Sequence, residues 1–369
     1  MTKAAELAKM GEVLTNNQIG GRRNIAFNGA MQVAQRGTSS TGLGANGDAF
    51  LLDRFRVTAA STAGRYTMTQ TADGPSGFAN CLKIACTTAD TSIAAGENLV
   101  LVQGLEGQDL QQFKKGTSDA EKFTVSFYVK GHDAATYTFE MFDGDNTRQV
   151  SQTFSVTTDW TRVILTFPAD TTGAFGDDNG ASLYLQICLH AGSTFTSGTL
   201  NTSWASNTNA NRYSSDQNSI FESTSATFFI TGFQLEVGSV ATPFEHKSFG
   251  EELQLCQRYY EISYSYGTFE GANTSAGLIT TDTMGGDTTT AYLTHQLEYR
   301  VAKRAAPTLV FYDQAEASGK ISSHVTGVSI ANGQTVAVEH ASDKSISMNR
   351  ASGDAANGFR FHYSATSEL

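Results

Sequence analysis

Proline and cysteine are scarce, with four of each in 369 residues, which leaves material for neither a proline-rich linker nor a disulfide scaffold. The cysteines, Cys81, Cys86, Cys188 and Cys256, sit in apolar or half-apolar strings, without a CxxC pair or a histidine at ligand spacing. They read as reduced core residues. No run of about 18 apolar residues occurs, so no membrane insertion is expected. The opening residues Met1 to Glu6 lack the basic-then-apolar order of a secretory signal, so Sec export is not expected either. Basic clusters are also missing. Lys and Arg total 25 against 36 Asp and Glu, a formal charge of −11 that repels phosphate backbones, and no nucleic acid partner is expected.

Catalytic signatures are absent as well. There is no GxSxG elbow, HExxH helix, P-loop or dinucleotide fingerprint. The histidines, His132, His190, His246, His295, His324, His340 and His362, are scattered singly and read as packed or surface residues. No metal and no cofactor is therefore expected. Two carboxylate pairs, Asp143 with Asp145 and Asp177 with Asp178, have the residue type that glycoside hydrolysis needs. Each lies in a short Gly/Asn turn, where Asp is favoured for its bonds to the backbone, and Asp143-x-Asp145 lacks the further ligands of a calcium loop. The expectation is a protein that is not an enzyme.

What is abundant is Gly, at 35 residues, with much Thr, Ser and Asn, while charged residues make up only 17%. Such a composition favours strands joined by turns. Residues 3 to about 14 give a helical signal: Thr2 can cap it, Ala4, Leu7, Met10 and Leu14 share one stripe, and Asn16, Asn17, Gly20 and Gly21 end it. A helix this short is marginal alone in water, so its stripe must meet the protein body, symmetry mates or a larger particle.

From Asn24 to about Glu245 the pattern is strand after strand. Phe123–Val129, Tyr137–Phe142, Val150–Val156, Thr161–Phe167, Ser182–Cys188 and Thr227–Val237 are the clearest, with Phe123, Val125, Phe127 and Val129 on one face. Turns such as Asn179-Gly180 fall between them, and an antiparallel jelly-roll sandwich follows. A capping box at Ser248 to Glu251 opens a second helix, with Leu253, Cys256 and Tyr260 on its buried side. Strands then resume at Tyr292–Tyr299, Thr308–Tyr312, Val325–Ile330, Thr335–Val338, Ser345–Met348 and Gly358–Tyr363. The expected fold is mainly β. Residues 1–21 form an N-terminal helix and linker, 22–247 a jelly-roll β-sandwich, 248–262 a short linking helix and 263–369 a smaller C-terminal β domain.

The segment Ala191 to Ser225 is long and polar, and it carries Phe195, Trp204 and Tyr213. A loop of this length is usually functional or disordered. An aromatic ring there can stack on a sugar while Asn groups bond its hydroxyls, which makes Trp204, Tyr213, Asn209 and Arg212 the candidate glycan-binding residues. The alternative is that Trp204 fills a pocket at a subunit interface. The tyrosines from Tyr259 to Tyr266 could line a trimer axis.

Several strings carry a resemblance. Residues Arg22 to Thr38, RRNIAFNGAMQVAQRGT, are similar to an opening RNLIINGAMQVAQRGT, and Asp53-Arg54-Phe55 to the DRW that follows it. Phe233 to Glu245 resembles VQLEVGSVATPFE, and Leu253 to Tyr260 resembles LALCQRYYE. Arg304 to Thr308 and Phe361 to Leu369 are similar to RAAPT and FxYTADAEL endings. As a set they resemble virion appendage proteins of tailed bacteriophages, of the tail-fibre or head-fibre type, whose middle domain is like a carbohydrate-binding module. The resemblance implies a structural protein of the virion, made in the bacterial host cytoplasm. It implies a homotrimer, attached to another virion protein, of capsid or tail, through the helix bearing Leu7, Met10 and Leu14, and contacting host surface polysaccharide. The other functions weighed are a non-adhesive decoration protein and a polysaccharide depolymerase. A structural calcium in such modules usually uses an aspartate on the closing strand, and Thr231 to Gln234 offers none.

Overall fold

The computed structural model describes residues 3–5, 7, 22–282, 292–325, 328–351 and 358–369. Lys3, Ala4, Ala5 and Leu7 are helical, and Leu7 is 68% exposed. Met10 and Leu14, the rest of the expected attachment stripe, lie outside the described residues.

The chain divides into two compact units. One holds residues 22–32, Thr38–Ser248 and Leu369, and the other Val33–Gly37 and Phe249–Glu368. The strands of the first, in chain order, are β1 (Ser39–Gly44), β2 (Gly47–Phe50), β3 (Arg56–Ala60), β4 (Arg65–Thr71), β5 (Cys81–Thr88), β6 (Asn98–Glu106) and β7 (Phe123–Gly131). They continue as β8 (Ala135–Asp143), β9 (Arg148–Val156), β10 (Thr161–Phe167), β11 (Ala181–Ala191), β12 (Ala205–Ser206) and β13 (Thr227–Val237). The six strings singled out by period-two patterning are β7, β8, β9, β10, β11 and β13.

Among the described residues these strands form two antiparallel sheets. One is six-stranded, in the order β1-β4-β5-β13-β7-β10, and the other seven-stranded, in the order β12-β9-β8-β11-β6-β3-β2. Their inner faces meet through rings: Phe139 on β8 stacks 5.8 Å from Phe127 on β7 and 6.2 Å from Phe233 on β13. All three are buried. Burying a phenylalanine stabilises by about 1.5–3 kcal/mol, so this cluster alone fixes which faces turn inward. The four cysteines are free and buried. On β13 the pairing with β7 shifts between Thr231 and Gln234, where Gly232 takes φ 64°. Only glycine adopts this bulge conformation without strain.

In the second unit the terminal strand Gly358–Thr366 is the common partner of Tyr260–Ile262, Ile279–Asp282, Thr308–Tyr312 and Ile321–Val325. A separate three-stranded sheet joins Tyr292–Glu298, Ser345–Ala351 and Ala337–Glu339. Two sequence expectations need correction here. The string Val325–Ile330 reads as one strand, but Val325 pairs with Val328, so it is the tip of a hairpin between Ile321–Val325 and Val328–Gln334. Residues 326 and 327 lie outside the described residues. The second helix is shorter than expected. It spans Phe249–Gln257, and Tyr260 already begins a strand, since the alternating Tyr260 and Ile262 side chains pack as a strand face. Tyr259, Tyr260 and Tyr264, candidates for a subunit axis, are 0%, 4% and 2% exposed, whereas Tyr266 of the same string is 47% exposed. Tyr264 lies flat on His362, with ring centroids 3.8 Å apart.

Candidate functional site

The seven-stranded sheet has one face against the other sheet and one face outside. Register decides what stands outside. Phe142 on β8 pairs with Tyr184 on β11, Glu140 with Gln186, and Thr138 with Cys188. Across β11, Gln186 pairs with Val102 and Cys188 with Val100 on β6, and these pair with Arg56 and Thr58 on β3. The outer rows therefore hold two rings, a carboxylate, an amide, two valines, two threonines, a thiol and an arginine. Over them folds the segment between β11 and β13, whose backbone is stitched to the sheet: Asn218 N–H donates to Thr136 O at 2.8 Å, Ser214 N–H to Thr138 Oγ1 at 3.1 Å, and Ser151 N–H to Asn201 O at 2.7 Å.

Between this segment and β3 lies a concavity of about 480 Å³. Its floor is Val100, Val102, Phe142, Tyr184 and Gln186. One wall holds Arg56, Thr58 and Asn98, and the other Asn207, Asn209, Arg212 and Tyr213. Phe142 and Tyr184 are half-buried rings 6.1 Å apart. Arg56 is neutralised by Asp48 at 3.3 Å, and Asp48 also accepts the Thr58 hydroxyl at 2.6 Å.

The site residues expected from the sequence separate. Asn209, Arg212 and Tyr213 come together in the concavity. Within it Tyr213 is 1% exposed and Arg212 forks onto Glu140, so both brace the wall, whereas Asn209 is exposed. Trp204 is elsewhere. Its Nε1 donates to Pro168 O at 2.9 Å, its ring sits 5.7 Å from Phe123, and Lys115 Nζ lies 5.3 Å from the ring centre. Trp204 thus covers an internal ion network in which Lys115 meets Asp143 and Asp170, and Arg148 meets Asp170 at 2.8 Å. Asp143, expected as a turn residue, also accepts Asn146 N–H at 3.0 Å. Phe142, Tyr184, Gln186 and Arg56 were missed, because each reads locally as an ordinary strand residue and only lateral register makes them neighbours.

Burial raises the Glu140 carboxyl above the usual carboxylate range, and Arg212 pulls it the other way. Burial, reinforced by Glu140, holds the Tyr213 phenol well above its ordinary value. The Cys188 thiol is pushed up to about 12 by burial. It is an inert thiol packed against Val100, Val102 and Tyr213 rather than a nucleophile. A different part of this unit could hold a metal: Asp90, Glu97 and His190, all buried, each place one ligand atom within 4.8 Å of the others.

No family model and no curated protein matches the chain. Among solved structures it is similar to a family 4 carbohydrate-binding module at 11% identity and TM-score 0.30, covering 57% of this chain and 97% of that one. A family 11 carbohydrate-binding module from Clostridium thermocellum, in complex with a β-1,3-1,4-mixed-linked tetrasaccharide, matches at 11% identity and TM-score 0.28, covering 55% of this chain and 99% of that one. The enzymatically active domain of tailspike protein 4 from bacteriophage CBA120 matches at 10% identity and TM-score 0.29, covering 58% of this chain and 21% of that one. The chain is mainly β.

Proposed function

We propose that the protein binds a neutral glycan in the concavity on the outer face of the seven-stranded sheet and makes or breaks no bond there. The observation that carries this reading is the pairing of Phe142 with Tyr184, two half-buried rings side by side, next to the amides of Gln186, Asn207 and Asn209. A ring stacks on the apolar face of a pyranose while amides bond its hydroxyls. Arg56 and Arg212 are already matched by Asp48 and Glu140, so among the described residues the site offers no spare cation for a uronic acid. Hydrolysis uses a pair of carboxylates. Among the described residues, the lining of the concavity has neither Asp nor Glu, which supports holding over cleaving.

The wider role follows from the strings at Arg22 to Thr38, Phe233 to Glu245 and Phe361 to Leu369. Their resemblance supports a homotrimeric appendage of a tailed-phage virion that contacts host surface polysaccharide and is attached through residues 1–21 to a capsid or tail protein. Three weak glycan sites on one trimer raise the overall affinity by about 10² to 10⁴.

The test is a glycan array probed with the full chain, Phe142→Ala and Tyr184→Ala. Neutral glycans should bind the full chain and be lost by both variants. Binding retained by both would remove the concavity from consideration, and no binding at all would leave the decoration role. New reducing ends on incubation with host polysaccharide would overturn the non-enzymatic reading. Deletion of residues 1–17 should leave a folded trimer that no longer joins virions.

A further inference from the structure

The connection between β5 and β6 carries Asp90 and Glu97, and it meets the end of β11, where His190 stands. Strict alternation along β11 would put His190 outside with Tyr184, Gln186 and Cys188. The register shifts between Cys188 and His190, so that His190 pairs with Leu99 and turns to the inner face. There its ring lies 5.1 Å from Phe221. Gly192 lets the connection come close: its N–H donates to Glu97 O at 2.8 Å, and a Cβ on it would fall 2.0 Å from Ala94 O.

Asp90, Glu97 and His190 are 6%, 4% and 0% exposed. Asp90 Oδ1 accepts Ser92 N–H at 3.1 Å, but its Oδ2 is buried with no hydrogen-bond partner. A buried anionic oxygen without a partner is costly, and a second carboxylate beside it adds to that cost. His190 Nδ1 lies 2.7 Å from Ser219 Oγ, and Nε2 lies 3.1 Å from Glu97 Oε2. Nε2 faces a carboxylate, which can only accept, so Nε2–H donates to Glu97 and Nδ1 accepts from Ser219 Oγ. An ion in place of that proton would move the hydrogen to Nδ1, where Ser219 would accept it, as in a metal-ligating histidine whose other nitrogen is held by a neighbour. Tetrahedral zinc, with bonds of about 2.0–2.1 Å, sets its ligand atoms roughly 3.3 Å apart, close to the separation of Nε2 and Oε2.

We infer that Asp90, Glu97 and His190 form a site for a divalent transition-metal ion of the Zn²⁺ class. Imidazole beside carboxylates suits such an ion, whereas Ca²⁺ and Mg²⁺ take oxygen ligands. A bound ion would satisfy Asp90 Oδ2 and tie the β5–β6 connection to the end of β11. Its role is structural, and it is independent of glycan binding.

The full chain, stripped with EDTA and dialysed, is titrated with Zn²⁺ against a chromophoric chelator and followed by thermal unfolding. Binding should saturate at a single equivalent and raise the unfolding temperature, as expected when a ligand binds only the folded chain. Millimolar Ca²⁺ should not reproduce the rise. Asp90→Asn, which keeps the shape and removes the charge, should weaken Zn²⁺ binding at least about tenfold. Should that variant fail to fold, X-ray absorption on the wild-type zinc form decides, with nitrogen and oxygen around the metal as the expected result. Sulfur in that shell, absence of saturable Zn²⁺ binding, equal protection by Ca²⁺ or undiminished affinity in folded Asp90→Asn would each overturn the assignment.

Discussion

Arg212 forks onto Glu140, with Nε 3.0 Å from Oε1 and Nη2 2.7 Å from Oε2, and the Glu140 side chain has no exposed surface. The two come from different elements: Glu140 from the middle of β8, and Arg212 from the segment that walls the concavity. Their pairing, extended by Arg212 Nη2 to Gln186 Oε1 at 3.1 Å, holds that wall against the sheet.

Replacing Arg212 by Ala should therefore strand a buried carboxylate. Breaking such a pair from one side costs about 3–5 kcal/mol, and the cost here should fall toward the low end because Arg212 is partly exposed. Arg212→Ala combined with Glu140→Gln should recover part of the loss. Urea unfolding of the three variants checks this, and equal stability of Arg212→Ala and wild type would show that the pair does not hold the wall.

Trp204 and Tyr184 should separate stability from binding. Trp204→Ala opens the cover over Lys115 and should cost about 2 kcal/mol of stability while glycan affinity stays unchanged. Tyr184→Ala should lose roughly 1–2 kcal/mol of glycan binding free energy with a smaller effect on unfolding. Calorimetric titration beside thermal melts reads both. Loss of affinity in Trp204→Ala with an unchanged melt would return Trp204 to the binding site.

The second unit rests on a buried pair, Lys303 Nζ at 2.6 Å from Glu261 Oε2, both side chains fully enclosed. Arg300 N–H and the Tyr363 hydroxyl also donate to Glu261. Lys303→Met should destabilise this unit by about 3–5 kcal/mol, because Glu261 would remain as an uncompensated buried charge. The loss should appear in hydrogen exchange at the Gly358–Thr366 strand, and native-like protection there would contradict it.

His362 should make the same unit sensitive to acid. Its Nε2 is 3.0 Å from Thr274 O, a carbonyl that can only accept, so Nε2 carries the proton and Nδ1 accepts from Ser263 Oγ at 2.9 Å. Desolvation lowers the folded-state pKa of His362 below its ordinary value. The unfolded chain then takes up the proton first. Stability from this group is complete above pH about 6.5 and is lost as the pH falls from there through the folded value, by about 1.4 kcal/mol for each unit by which the two differ. His362→Gln should flatten the dependence of melting temperature on pH below about 6.5, and an unchanged slope would locate the acid sensitivity elsewhere.

Much of the sandwich is legible in the amino-acid order because its determinants are local. Alternation at Phe123, Val125, Phe127 and Val129, and again along β8, β9, β11 and β13, dictates strands and inner faces wherever one face must be buried. The hairpin at Val325 and Val328 was hidden, since a short apolar string looks the same whether it continues or turns back. Trp204 drew notice as a ring in a polar segment, but its partners Phe123 and Pro168 lie at least 36 residues away along the chain.

The sequence by itself determined that this is a strand-rich protein with reduced, buried cysteines, and where most of its strands run, because side-chain alternation is a nearest-neighbour property. Tertiary structure alone decided that Phe142 would stand beside Tyr184 and that His190 would meet Asp90 and Glu97. The first depends on lateral register between strands some forty residues apart, the second on a one-residue bulge that turns a side chain from one face of a sheet to the other.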